Sequence, residues 1–152
     1  MKLTSPAFAS GQNMPVMYSC DGANINPPLK FEAVPVEARS LVLIMDDPDV
    51  PEYIRADGVW DHWIVFDIPP EVTEVHEGQM PPGVPGQGTG GDRVYVGPCP
   101  PDGAHRYCFR LYALDQELSI KPGSSKAEVV QAMRGHVLEI AELIGMYNRL
   151  GS

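Results

Sequence analysis

The chain has 152 residues, about one domain's worth, with 43% hydrophobic and 20% charged. That balance fits a single globular core and excludes long disorder. With 11 Lys and Arg against 20 Asp and Glu, the net charge is −9, which disfavours nucleic acid or an anionic membrane as a bulk partner and leaves room only for a local anion pocket. The 15 Gly and 16 Pro point to a loop-rich fold with short strands.

Met1–Pro6 carries no apolar run long enough for a signal peptide. The longest purely apolar run, Leu41–Met45, is too short to span a bilayer. The expectation is a cytoplasmic protein with no membrane insertion. Cys20, Cys99 and Cys108 are odd in number and form no C-x-x-C. A disulfide framework is not expected, and each reads as a buried small side chain. A single cross-linked pair stays open.

In chain order, short strands are predicted near Pro15–Ser19 and Leu29–Phe31. Ser40–Met45 is a fully buried strand that enters the acidic turn Asp46-Asp47-Pro48-Asp49. Trp60–Ile68 is a second long strand, aromatic and β-branched, stopped by Pro69-Pro70. Glu77–Asp102 is crowded with Gly and Pro and reads as a long ordered loop, with a short strand at Val94–Val96. Loops of that length are uncommon without a function. Arg106–Leu114 alternates as a third long strand.

Ser125-Lys126-Ala127-Glu128 fits a capping box. The apolar residues from Val129 to Ile144 recur at helical spacing, and Gly135 splits them into two helices. The expected fold is a single, mainly β domain over residues 1–152 with a short helical pair near the C-terminus.

Most motif matches fail on context. Gly86–Gly91 matches G-x-G-x-x-G but follows a Pro-rich loop and leads into a strand-like run, not a helix. An EF-hand loop begun at Asp47 would place Glu52 where Gly is needed and Gly58 where Glu is needed. The cysteines and histidines lack close ligand pairs for zinc. No metal or cofactor is expected.

One constellation remains. Asp47 and Asp49 end the first long strand, Trp60 and His62 open the second, and His105 and Tyr107 open the third. If these strands are neighbours, the three groups meet at one place, with each strand pair on one face. Taken singly, each residue is ordinary: a strand histidine usually packs, and Asp-Pro-Asp usually turns. His76 and His136 read as surface or capping residues.

These blocks resemble a known family. Asp47-Pro48-Asp49-Val50-Pro51, Trp60-Asp61-His62-Trp63 and Gly97-Pro98-Cys99-Pro100-Pro101-Asp102-Gly103-Ala104-His105-Arg106-Tyr107 are similar to the phosphatidylethanolamine-binding proteins, in particular the bacterial and archaeal Raf-kinase-inhibitor-like branch. Tyr18–Gly22 and Asn26–Leu29 look like that branch's N-terminal signature. The resemblance implies a β-sandwich-like fold with an anion pocket at one end for phosphate, phosphorylethanolamine, acetate or similar groups.

Carried over by position, the pocket residues are Asp47, Asp49, Trp60, His62, His105 and Tyr107, with Pro51 and Pro101 as wall prolines. Cys99 falls where many relatives have Gly with its N–H facing the ligand. The chain ends at Ser152, short of the extension that eukaryotic members place near the pocket.

Two carboxylates beside an anion repel it by about 4 kcal/mol each at 4 Å and an effective dielectric of about 20. Two arrangements escape this. The aspartates accept from His62 and His105 and raise their pKa values, or one aspartate stays protonated. Tyr107 adds a donor. Binding then tightens as pH falls through the histidine range.

The expected function is a small-anion binding module, not an enzyme, with regulation or inhibition of a kinase or protease implied by the resemblance alone. The alternatives are a hydrolase-type enzyme using the Asp, His and Tyr groups, with Cys99 as candidate nucleophile, and an interaction protein with a vestigial pocket. The sequence is compatible with a monomer or with a homodimer through the helical pair.

Overall fold

The computed structural model describes residues 1–149. Two antiparallel sheets face each other across the main core. The smaller has β1 (Lys2–Thr4), β2 (Leu29–Glu32) and β5 (Glu74–Val75), in the order β1-β2-β5. The larger contains β3 (Ser40–Asp47), β4 (Trp60–Ile68), β6 (Val84–Pro85), β7 (His105–Leu114) and β8 (Val137–Tyr147), in the order β6-β4-β3-β7-β8. One helix, α1 (Lys126–Met133), covers the outer face of the larger sheet.

β3 is apolar throughout because both of its faces are covered. Leu41, Leu43 and Met45 pack inward with Trp63, Val65, Phe109 and Leu111, against Leu3, Phe31 and Val75 of the smaller sheet. Val42 and Ile44 pack outward with Ile64 and Phe66, under Val129 and Met133 of α1. A central strand buried on both sides cannot alternate polar and apolar residues. Its paired neighbours, β4 and β7, were read from sequence to within a residue.

The β4 pairing contains a bulge. Met45 lies opposite Trp63, and Asp46 lies opposite Asp61, so His62 is an extra residue in β4. Asp47 is paired with Trp60. The bulge lets His62 and Trp63, consecutive in sequence, both serve the inner face. Bulges of this kind re-aim side chains beside functional sites.

The predicted helical pair is half right. Ser125 caps α1 through a capping box with Glu128, as the sequence indicates. The second helix does not form; Val137–Tyr147 is the strand β8, paired along its length with β7. Gly135, at φ 80°, turns the chain out of α1. Apolar residues in this segment satisfy both periodicities, and a long antiparallel partner decides for the strand. Ala141, Leu143 and Tyr147 are then buried while Ile140 is exposed. Gly145 belongs to the same inward set, where a Cβ would collide with the Met14 side chain.

Two shorter predictions also change. Pro15–Ser19 holds a 3-10 turn at Val16–Tyr18, and Val94–Val96 forms no strand. Val96 instead spends its N–H on the His62 carbonyl, and the Tyr95 hydroxyl donates to the Tyr18 carbonyl. The Gly-rich run 86–91 is loop that docks on β4, with the Gly86 N–H donating to Ile64 and the Thr89 N–H to Asp61.

Of the three cysteines, Cys108 is buried as expected, and the single cross-link that the sequence leaves open does form. Cys20 and Cys99 form a disulfide across a sequence separation of 79, and Cys108 is a buried free thiol. The sequence offers no spacing signal for this, because the two half-cystines meet only when the 95–99 segment lies on the 16–24 turn.

Two measurements check this architecture. Leu143→Ala is expected to cost about 2–4 kcal/mol of unfolding free energy, while Ile140→Ala, at a position 57% exposed, should cost under about 1 kcal/mol. Equal costs would contradict the strand register. Thiol titration of the denatured, unreduced chain should count only Cys108, and Cys20→Ser with Cys99→Ser should lower stability by about 2–5 kcal/mol. Three reactive thiols before reduction would refute the pairing.

Candidate functional site

The C-terminal end of β3 and the N-terminal ends of β4 and β7 lie side by side, so the three sequence blocks converge. Between them and the loops at 50–54 and 96–101 lies a cavity of ≈ 300 Å³. Asp47, Trp60, His62, Cys99, Pro101, His105 and Tyr107 all line it. Val50, Ile54, Val96, Gly97 and Pro100 complete an apolar wall that sequence reasoning did not single out. Val50, Gly97 and Pro100 lie within the blocks that carry the family resemblance, and Val96 lies in the long loop, but Ile54 had no sequence signal.

Asp49 and Pro51 do not line the cavity. Asp49 turns toward β7 and holds Arg106 in a two-pronged pair: Nη2 at 2.8 Å from Oδ1 and Nε at 3.0 Å from Oδ2, with the Arg106 backbone N–H also donating to Oδ2. The Arg106 side chain holds the Asp49 carboxyl below its usual range. Asp49 therefore anchors the cavity loop. The sequence reading has both aspartates facing the ligand; in the structure β7 supplies an arginine beside the second one and occupies its carboxylate.

Asp47 is the buried acid of the site. Its Oδ1 accepts from the Asp49 N–H at 2.8 Å, and its Oδ2 accepts from His105 Nδ1 at 2.6 Å. His105 also donates through Nε2 to Asp102 Oδ1 at 3.0 Å. Burial opposes charge on this ring, but the two carboxylates outweigh it and raise the His105 pKa. With a carboxylate at each nitrogen, the ring is an imidazolium.

His62 behaves oppositely. Its Nδ1 lies 2.7 Å from the Val96 carbonyl, which can only accept, so Nδ1 carries the proton and Nε2 bears a lone pair. Burial drives its pKa down, against the smaller pull of the Val96 carbonyl and nearby aspartates. The expectation that an aspartate orients His62 is thus corrected: a loop carbonyl does so. No protein group partners Nε2 among the described residues.

Tyr107 stands with its ring edge-on to His62, centroids 5.4 Å apart. Its hydroxyl is buried beside the Asp47 carboxylate, yet it makes no hydrogen bond of good geometry among the described residues. Burial first, and then the Asp47 carboxylate, push its pKa up, so it stays a neutral O–H donor. Buried hydroxyls are rarely left without a partner.

The loop wall is held from behind. Gly97 approaches so closely that a Cβ would collide with the Tyr18 carbonyl, and its N–H donates to Asn24 Oδ1 at 2.8 Å. The Cys20–Cys99 bond ties the next turn of the wall to the same place. Cys99, on the cavity wall, is therefore half of a disulfide and not a thiol. No Lys or Arg lines the cavity, and no group of His, Cys, Asp and Glu among the described residues is arranged to hold a metal.

The two histidines give stability opposite pH slopes. A raised base stabilises the fold fully below its unfolded value, about 6.5, and that gain is lost as pH rises through the folded value. This is His105. A lowered base stabilises above about 6.5, and the gain is lost as pH falls through the folded value. This is His62. An NMR titration of the ligand-free protein should therefore place the His105 midpoint above and the His62 midpoint below about 6.5. Coincident midpoints would overturn these assignments.

Comparison with known proteins gives the family. The family model described as phosphatidylethanolamine-binding protein matches residues 4–148. A UPF0098 protein of Chlamydia trachomatis is 50% identical over 149 residues, covering 98% of this chain and 99% of that one. One from Methanothermobacter thermautotrophicus is also 50% identical, over 155 residues with the same coverage.

Among solved structures, the phosphatidylethanolamine-binding protein homologue CT736 of Chlamydia trachomatis superposes with a TM-score of 0.95 at 49% identity, covering 97% of each chain. Escherichia coli YbcL, described as a member of the mammalian PEBP family, superposes with a TM-score of 0.87 at 27% identity, over 97% of this chain and 98% of its own. By fold, by strand-end blocks and by these matches, the chain belongs to the phosphatidylethanolamine-binding protein family.

Proposed function

We propose that the protein is a binding module for a small oxyacid group, phosphoryl or carboxylate, and not a catalyst. One observation carries this reading: the cavity presents on adjoining rings a buried donor, the Tyr107 hydroxyl, which lies beside Asp47 without a well-formed hydrogen bond, and an acceptor, His62 Nε2, with no partner among the described residues. Such a pair suits a group that both accepts and donates. A ligand oxygen accepts from Tyr107, and a ligand P–OH or C–OH donates to His62.

If the ligand arrives fully ionised, His62 must gain a proton to donate in turn. Either way one proton enters with the ligand, so affinity rises as pH falls. The lowered pKa of His62 places its part of that rise below the ordinary imidazole range. The apolar wall of Val50, Ile54, Val96 and the prolines suits a group carrying hydrocarbon.

Cys99 cannot act as a nucleophile while bonded to Cys20, which removes the candidate on which the hydrolase alternative leaned. The regulatory role toward a kinase or protease stays within this proposal. Tyr53 and Ile54 are exposed on a loop bordering the cavity and are available to a protein that presents such a group. No helix among the described residues is long and apolar enough to cross a membrane. A cytoplasmic home remains part of the proposal, with a consequence: there the Cys20–Cys99 bond must withstand thiol reductants.

Calorimetry with inorganic phosphate and with acetate at pH 5.5 and 8 tests the reading. Binding should be several-fold tighter at the lower pH, and Tyr107→Phe should weaken it by about 1–3 kcal/mol without loss of fold stability. Equal affinity at both pH values, or an unaffected Tyr107→Phe, would sink it.

A further inference from the structure

Among the described residues, His105 is the one cationic side chain on the cavity wall, and both of its N–H groups are occupied. The two carboxylates that occupy them are unlike. Asp47 is 5% exposed and also accepts from the Asp49 N–H. Asp102 is 62% exposed, and His105 Nε2 is the sole hydrogen-bond partner of its carboxylate among the described residues. Asp102 follows the wall residues Pro100 and Pro101 and precedes Gly103, whose φ of 48° suits a free turn. An exposed, singly held carboxylate is weakly bound. It nonetheless lies on the cavity's only cationic donor among the described residues.

We propose that Asp102 is a tethered carboxylate ligand of His105, which an incoming anionic oxygen must displace, and that this exchange sets the cavity's anion affinity and its preference for singly charged groups. The inference rests on the oxyacid reading above and names a residue that reading does not use. The exchange is one for one. The ligand oxygen accepts from His105 Nε2, and the Asp102 carboxylate moves into water. A tether keeps the effective concentration of the competing carboxylate high, so the free ligand must outcompete it. A second charge on the ligand then meets both Asp47 and the displaced Asp102, with only one imidazolium to offset them.

Asp102→Asn and Asp102→Ser should bind acetate and inorganic phosphate about two- to tenfold tighter than the parent chain at fixed ionic strength. Phosphate should gain more than acetate. Glu71→Gln removes an exposed acid beyond the opposite end of β4 and should leave both affinities unchanged, which separates displacement from a general loss of negative charge. In the parent chain, saturating acetate should shift the Asp102 carboxyl and His105 Nε2 resonances together. Parent binding with unchanged or weaker affinity in both Asp102 variants overturns the displacement and leaves the oxyacid reading standing. Absence of binding in the parent and both variants overturns the two together.

Discussion

Two adjacent carboxylates at the end of a doubly buried strand govern this structure. β3 carries its apolar run between two layers and then delivers Asp46 and Asp47 before the chain has left the interior, where both are buried. A strand sends neighbouring side chains to opposite faces, so each acid needs its own compensation. Asp46 faces outward and meets Lys126 at 3.1 Å and Arg110 at 3.3 Å. Asp47 faces inward and meets His105. Removing His105 would leave Asp47 an uncompensated buried charge, a loss of about 3–5 kcal/mol, whereas Asp46 keeps one cation if the other is lost.

The outward solution is structural. Lys126 begins α1, so its bond to Asp46 fixes where the helix lands on the sheet. Its Nζ is also 2.7 Å from Asp61 Oδ1, an ion contact without hydrogen-bond alignment. Arg110 reaches on to Glu142 of β8. Helix, central strand and edge strand are thus joined through one acid, on the face away from the cavity.

The inward solution is chemical. A histidine held between Asp47 and Asp102 is charged, and a second histidine held by the Val96 carbonyl is neutral, with Tyr107 near both. Burial acts against charge on each ring, and the difference lies in partners: two carboxylates outweigh burial for His105, and one carbonyl does not for His62. The bulge at His62 and the disulfide behind Cys99 share a purpose in this arrangement. One places the ring on the inner face, and the other holds the segment that orients it.

Much was legible in the sequence because strong local signals and the fold agreed. An unbroken apolar run has to be a central strand, aromatic and β-branched residues mark its neighbours, and Ser125 with Glu128 marks a helix start. Once the three long strands are neighbours, Asp47, Trp60, His62, His105 and Tyr107 must converge, since each lies at a strand end. Other features turned on partners remote in sequence. Val137–Tyr147 fits two periodicities, and ten residues of β7 choose the strand. Asp49 leaves the cavity because Arg106, 57 residues later, binds it. Cys20 finds Cys99 only through the docking of one loop on another. The sequence by itself determined the long central strands and the polar groups at their ends, because hydrophobicity and backbone preference are local. Tertiary structure alone decided which polar group answers which, because a buried charge is settled by whatever partner the fold brings within about 3 Å.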